Sequence, residues 1–351
     1  MTLLTDSPHT RFPAPLETTA PAPAEWRGLA RDQVRLLVAR PDGISHVRFR
    51  DLPEQLAAGD LVVVNNSATE ARQLDGRLLG GDPVVVHLAM PLDDGDWVVE
   101  LRSAPAADRA VLDAATGDIV LVGRVLLRLA APYPREHSSP TGVGNRLWRA
   151  HVDGDLVEEL RRHGRPISYG YLDRRYPLSA YRSVFDSRPG SAEMPSAGRP
   201  FTDALVSALV SRGIGIAPIT LHTGVSSQEV GEAPQPEWFE VTEPTARLVN
   251  ATRAGGGRVV AVGTTVTRAL ESAVDAGTVV ARHGWTERVI SPSDPARVVD
   301  GLVTGWHDPH ASHLLLVESV AGADLTQRAY DAAVAEGYLW HEFGDSALFL
   351  P

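Results

Sequence analysis

Two periodicities divide this chain. From Tyr181 to Pro351, short apolar runs alternate with stretches in which apolar residues recur every three or four positions, the pattern of strands alternating with helices. The clearest unit is Arg258 to Ala273. Val259 to Val262 form an apolar, mostly β-branched run, Gly263 and two threonines interrupt it, and the spacing through Leu270 and Ala273 is helical. This predicts a buried strand, a tight turn and a helix capped by Thr264 or Thr265. Further strands are expected at Leu36 to Ala39, Asp60 to Val64, Ile214 to Leu221 and Leu302 to Thr304. Helices are expected at Asp203 to Arg212 with Thr202 as N-cap, at Glu240 to Ala254 and at Thr326 to Gly337, while Leu314 to Val320 reads as strand or helix. Such alternation implies an α/β fold built on a mostly parallel sheet with both faces covered.

Between Arg72 and Pro166 the pattern changes. Short alternating or apolar runs at Val84 to Ala89, Trp97 to Arg102, Asp118 to Leu121, Val125 to Ala130 and Leu147 to Val152 are separated by Gly, Pro and Asp. That is the text of a small all-β barrel or sandwich, so residues 72–166 are expected to form an inserted small β-barrel domain, and 1–71 with 167–351 the α/β large domain. A helix over Asp155 to His163 leads out of the insert into Gly164 to Tyr176. The tyrosines there, Tyr169, Tyr171 and Tyr176, would either stack on a purine or cover a domain junction. Met1 to Ala24, rich in Pro, Thr and Ala and without a sustained period, reads as a mobile arm.

Bulk numbers narrow the possibilities. With 351 residues the chain is long enough for two cores. A net charge of −11 argues against a general nucleic-acid binder, because phosphate neutralisation needs Lys and Arg gathered on one face. The absence of cysteine removes disulfides, thiolate metal sites and a Cys nucleophile together. No apolar run approaches the about 18 residues of a membrane span, and the first residues lack a basic start followed by an apolar block. No membrane partner is therefore expected, and a cytoplasmic location is the default expectation.

Candidate chemistry gathers where predicted strands end. Asn65, His222, Thr264, His307 and Asp345 all follow or flank such ends, and they converge if those ends share an edge. A helix N-terminus after Gly263 would offer unpaired N–H groups to an anion. Each residue also has a plain structural account: Asn65 as a turn former, the histidines as packing groups, Arg268 and Glu271 as a helix salt bridge, Asp345 as the end of a turn. His307, His310 and His313 are spaced like ligands, yet Asp308-Pro309 disfavours a helix there and no His-Glu-x-x-His pattern exists, so no metal is expected.

Taken together, several stretches resemble one family in its own order. They are Arg31-Asp32 with Arg35-Leu36-Leu37-Val38, Gly59 to Asn65, Pro195-Ser196-Ala197-Gly198 with Phe201-Thr202, and Thr220-Leu221-His222 with Gly224. They continue through Val260 to Thr265 with Thr267-Arg268 and Leu270-Glu271-Ser272, then His307 with Pro309, and Gly344-Asp345. The family is the S-adenosylmethionine:tRNA ribosyltransferase-isomerases of queuosine biosynthesis, and the resemblance runs from about Phe12 onward. It implies an α/β large domain with an inserted small barrel, and an arm ordered from Phe12. It implies S-adenosylmethionine as co-substrate, its ribosyl part passing to a 7-aminomethyl-7-deazaguanine base of tRNA while adenine and methionine leave. It also implies Asn65, Ser196, Ala197, Gly198, Thr202, Gly263, Thr264, Thr265, Arg268, Glu271 and Asp345 as donor-binding positions, and His222 and His307 as the groups that handle protons.

The departures are as specific as the matches. The family's Asn-Asp-Thr-Arg is here Asn65-Asn66-Ser67-Ala68, its Ala-Gly-Leu-His-Phe-Thr is Ala197-Gly198-Arg199-Pro200-Phe201-Thr202, and its histidine pair before a Glu is Ala233-Pro234-Gln235-Pro236 ahead of Glu237. A basic segment of its small domain is Ser103 to Asp108, and the Pro-Pro-Tyr of its linker is Tyr169-Gly170-Tyr171. These losses leave open a divergent relative that uses S-adenosylmethionine with a small-molecule acceptor, or a non-catalytic nucleotide-binding protein of the same fold.

Overall fold

Three central strands of the large domain, Leu61–Asn65, Val259–Val262 and Gly301–Thr304, are buried at every position. Strands covered on both faces read as continuous apolar runs, which is why their sequence shows no alternation. The structure is a computed structural model that describes residues 6–13, 18–135, 143–226, 231–309 and 311–351. Across its nine-stranded sheet the order is Arg282–Thr286, Glu237–Val241, Gly215–Leu221, Leu61–Asn65, Val259–Val262, Gly301–Thr304, Ser346–Phe349, Arg35–Arg40 and Gly43–Arg48. Gly215–Leu221 through Gly301–Thr304 pair in parallel, as do Ser346–Phe349 and Arg35–Arg40. The other pairings are antiparallel, so the sheet is mixed, with its parallel part at the centre.

Successive side chains of a strand point to opposite faces, and the two cores divide accordingly. Leu61 and Val63 join Val249, Val266, Leu270 and Tyr330 on one face, under the helices Glu243–Ala254, Thr264–Ser272, His313–Ala321 and Ala323–Ala335. Val62 and Val64 join Phe49, Leu52, Phe201 and Leu205 on the other, under Asp203–Ser211 and the short helix Leu52–Gln55.

Six antiparallel strands close the inserted barrel in the order Leu147–Asp153, Trp97–Ser103, Pro83–Pro91, Gln73–Leu78, Ile119–Val122 and Val125–Pro132. Its interior holds Leu74, Val86, Val99, Leu101, Leu127 and Trp148. The helix Leu156–His163 follows, with the Asp155 side chain accepting from the Glu158 N–H. A small apolar cluster of Met90, Val98, Leu147, Ile167, Ala192 and Val225 joins barrel to sheet.

Several expectations need correction. The arm is not mobile where it is described: the Phe12 ring lies 4.7 Å from Tyr330 and 5.4 Å from Trp340, and the Thr10 N–H and hydroxyl each donate to Glu318 at 2.6 Å. Composition missed this because its contacts are with residues some 300 positions away, whereas the resemblance anticipated an ordered arm from Phe12. Residues 1–5 and 14–17 of that arm lie outside the described residues. Glu240 and Val241 belong to a strand, and the helix begins at Glu243 after Thr242. Neither Thr264 nor Thr265 caps its helix. Gly263 is the N-cap, and both threonines lie in the first turn. Leu314 to Val320 is helical. The strands Gly43–Arg48 and Gln73–Leu78 escaped notice because their text, Gly-Ile-Ser-His-Val-Arg and Gln-Leu-Asp-Gly-Arg-Leu, is too polar to stand out.

Candidate functional site

The carboxyl ends of the central parallel strands open on a cavity of about 870 Å³, walled on the far side by the barrel and the tyrosine linker. That volume lies in the range of small-molecule sites. Two backbone segments form its floor. Gly263 has φ of +95°, and a side chain there would meet the Ala197 Cβ at 3.3 Å, so only glycine lets the loop Ser196–Gly198 lie against the strand-to-helix turn. Thr264 and Thr265 open the helix toward the cavity, where its first N–H groups have no partner within the helix.

Of the thirteen predicted residues, Ser196, Ala197, Gly263, Thr264, Thr265, Arg268 and His307 line this cavity. Arg268 does not pair with Glu271. Its guanidinium reaches Glu237 at 2.6 Å and the carbonyls of Gln235, Thr286 and Arg288. His307 Nε2 shares a 3.0 Å hydrogen bond with Thr304, and its ring stacks on His313 at 4.7 Å. Burial, reinforced by His313 and His341, holds its pKa well below the usual imidazole value, so it stands neutral.

The other six serve the frame around it. Asn65 ties two strand ends, donating to the Leu221 carbonyl at 2.8 Å and accepting from the N–H groups of Ser67 and Leu221. Glu271 accepts from three successive N–H groups, Arg297 to Val299. Asp345 is held by the Arg35 N–H and guanidinium and by the Leu339 N–H. Thr202 caps the helix Asp203–Ser211, and Gly198 is buried in the turn Ser196–Gly198. His222 lies behind the cavity wall: Nδ1 meets the Ser67 hydroxyl at 2.7 Å, that hydroxyl meets Ser191 at 2.6 Å, and the ring stacks on Trp238. Burial, with Arg188 and Arg72 adding to it, takes its pKa down to about 4.

Among the described residues no three His, Asp or Glu side chains converge as a metal site, and His310 lies outside them. Sequence reasoning also missed residues that line the cavity. Glu193 accepts from the Tyr169 and Ser226 hydroxyls and from the Ser226 N–H. Glu342 stands beside Tyr171 and His341, and Glu237 pairs with Arg268. Their one signal in the text is an acid set among aromatic or small residues beside a recognised loop: Glu193 just before Pro195-Ser196, Glu342 between Trp340 and Phe343. Of the linker tyrosines, Tyr169 and Tyr171 line the cavity, while Tyr176 packs into a separate cluster with Tyr181 and Phe343.

A mixed α/β sheet whose parallel strand ends open on a roomy, charged cavity, closed over by a second small barrel, defines a ligand-binding α/β protein with its site at a domain junction. The chain belongs to the family of queuosine biosynthesis proteins, which it matches over residues 9–349. It is 37% identical over 358 residues to the S-adenosylmethionine:tRNA ribosyltransferase-isomerase of Symbiobacterium thermophilum, covering 97% of this chain and 98% of the relative. A protein of the same name from Thermus thermophilus is 36% identical, with 91% of this chain and 93% of the relative covered. Among solved structures, the S-adenosylmethionine tRNA ribosyltransferase of Thermotoga maritima is similar with a TM-score of 0.53 and 26% identity, over 97% of this chain and 99% of that one.

Proposed function

We propose that this protein is a transferase-isomerase that moves the ribosyl part of S-adenosylmethionine onto a 7-aminomethyl-7-deazaguanine base of tRNA, in queuosine biosynthesis, with release of adenine and methionine. The observation that carries the reading is similarity over nearly the whole chain to relatives named for that reaction. Those names specify tRNA, so the small-molecule acceptor and the binding-only protein have no support among them. S-adenosylmethionine enters as co-substrate and no resident metal is invoked. Among the described residues no helix is long and apolar enough to cross a membrane, and the proposed setting is the cytoplasm.

In this reading the large domain, 1–71 with 167–351, holds the donor, and the inserted domain, 72–166, closes the site. The helix N-terminus at Thr264 and Thr265, with Gly263, Ser196 and Ala197 close beneath, suits the methionine carboxylate. Buried Arg268 and half-buried Glu237 form a polar pair beside it. Neutral His307 is the base that removes the donor's proton. His222, Asn65, Gly198, Thr202, Glu271 and Asp345 keep the strand ends and loops in register and act through these groups.

The test is chromatography of adenine and methionine after mixing the protein with S-adenosylmethionine and precursor-modified tRNA. Adenine release that depends on the tRNA is expected. Release that is absent, or indifferent to tRNA, would refute the reading.

A further inference from the structure

One carboxyl group in the cavity has an unmet hydrogen-bonding capacity. Glu342 Oε1 is buried and has no hydrogen-bond partner among the described residues. Buried polar atoms are seldom left so, and an exception on a ligand cavity points to a partner that arrives with the ligand. The residue is presented by an unusual backbone: His341, just before it, has φ of +66°, a region that non-glycine residues occupy at some cost and that recurs at functional sites. The His341 ring is stacked on Tyr171 at 5.0 Å and 17°, which fixes the turn against the linker.

Glu342 is faced by Glu193 from the loop before Pro195, by Tyr171 of the linker, and more distantly by Arg199 and Tyr181. Burial and the Glu193 charge push its carboxyl up to about 8, against the opposing effects of the Tyr171 hydrogen bond and Arg199. Arg199 is itself committed to Glu25 at 2.9 Å and to the Ala180 carbonyl. Glu193 differs from Glu342 in having its oxygens occupied by Tyr169 and Ser226. Of the three glutamates lining the cavity, Glu193 and Glu237 are thus fixed by donors, Glu237 by Arg268 and the Gly224 N–H, while Glu342 is a carboxyl able to keep a proton near neutral pH.

We propose that Glu342 is the general acid that protonates the purine leaving group of the reaction proposed above, an inference that rests on that reading. The bond between the ribosyl carbon and the purine nitrogen breaks with its electron pair on the purine. A purine nitrogen takes the Glu342 proton, so adenine leaves neutral and Glu342 is left as carboxylate. The electron demand at the ribosyl carbon is met by the pair freed when a proton is removed from the donor during isomerisation. The aromatic wall of Tyr169, Tyr171 and His341 gives a planar base a surface beside the acid.

The experiment measures single-turnover adenine release, with S-adenosylmethionine and precursor-modified tRNA, from about pH 5 to 9 for the wild type, Glu342→Gln and Glu342→Asp. The wild-type rate is expected to fall as pH rises through about 8. Glu342→Gln should release adenine at least about 100-fold more slowly and lose that alkaline limb. Calorimetry should find its donor affinity within about threefold of wild type. Glu342→Asp should recover part of the rate, with the limb displaced. A glutamine variant with wild-type rate, an unchanged alkaline limb, or a loss of donor affinity equal to its loss of rate would each overturn the assignment. Wild-type protein that releases no adenine with tRNA would instead overturn the functional reading.

Discussion

Glu100 is fully buried and Glu342 partly so, and their surroundings send them opposite ways. Val99 and Leu101 point into the barrel, so Glu100 between them faces outward, under the junction with the large domain. There it meets Arg102 at 2.8 Å, Arg146 at 2.9 Å and His87 at 3.1 Å. Burial alone would raise its pKa, but Arg146, His87 and Arg102 outweigh that and hold it well below the usual carboxylate range. Glu342 is partly buried without such close cations, and a second carboxylate faces it. Protonation state follows the neighbours of a buried acid rather than its depth, and the two networks divide the work between structure and chemistry.

The largest expected effect breaks the first network. Glu100→Ala leaves Arg102 and Arg146 without their shared carboxylate and should lower unfolding free energy by about 3–5 kcal/mol in urea titrations. A loss under about 1 kcal/mol would mean the cluster is solvated in solution.

Next comes the pH dependence, which has opposite sign at the two residues. The folded pKa of Glu100 is depressed, so its contribution is present above the unfolded value of about 4.3 and is lost as pH falls toward the folded value. The folded pKa of Glu342 is raised, so its contribution declines as pH rises from about 4.3 to about 8. Glu342→Gln should therefore match wild type near about pH 4 and gain roughly 1–3 kcal/mol on it by about pH 8. A difference that does not change with pH would show that Glu342 is ionised in the free protein.

Phe12→Ala provides an uncharged control. Loss of its packing on Tyr330 and Trp340 should cost about 1–2 kcal/mol, equally at every pH. The smallest effect separates the two histidines. His222→Ala should lose about 1 kcal/mol of stability through its Ser67 bond and keep most of its turnover. His307→Ala should lower turnover with little change in donor affinity. Equal losses of turnover in both variants would place His222 in the chemistry after all.

Much of the fold was legible because burial writes itself into continuous apolar runs. Val259 to Val262 and Leu61 to Val64 could hardly be anything but central strands, and the barrel's punctuation by Gly, Pro and Asp set it apart. Edge strands such as Gly43–Arg48 face water and carry polar residues, so they left no such trace. At the site, backbone-driven features were the readable ones: Gly263, Thr264 and Ser196-Ala197 signal close approach by their size alone. The sequence alone cannot separate a ligand group from a structural one at Asp345 and Glu271, because a carboxylate at a strand end or on a helix looks the same whether it meets a ligand or a backbone N–H. Glu342 was overlooked for the converse reason, since its meaning depends on Glu193, which lies 149 positions earlier and meets it only in three dimensions.

The strand Ser346–Phe349 sits inside the sheet, bonded to Gly301–Thr304 on one side and to Arg35–Arg40 on the other. On the ribosome, the first of its partners to be made must therefore wait for a neighbour synthesised some 300 residues later. The barrel, whose strands all lie between Gln73 and Asp153, meets no such delay and can close while the rest of the chain is still being translated. During that interval the Arg35–Arg40 strand has an unpaired edge, which makes it the natural place for a chaperone to bind or for nascent chains to stick to one another.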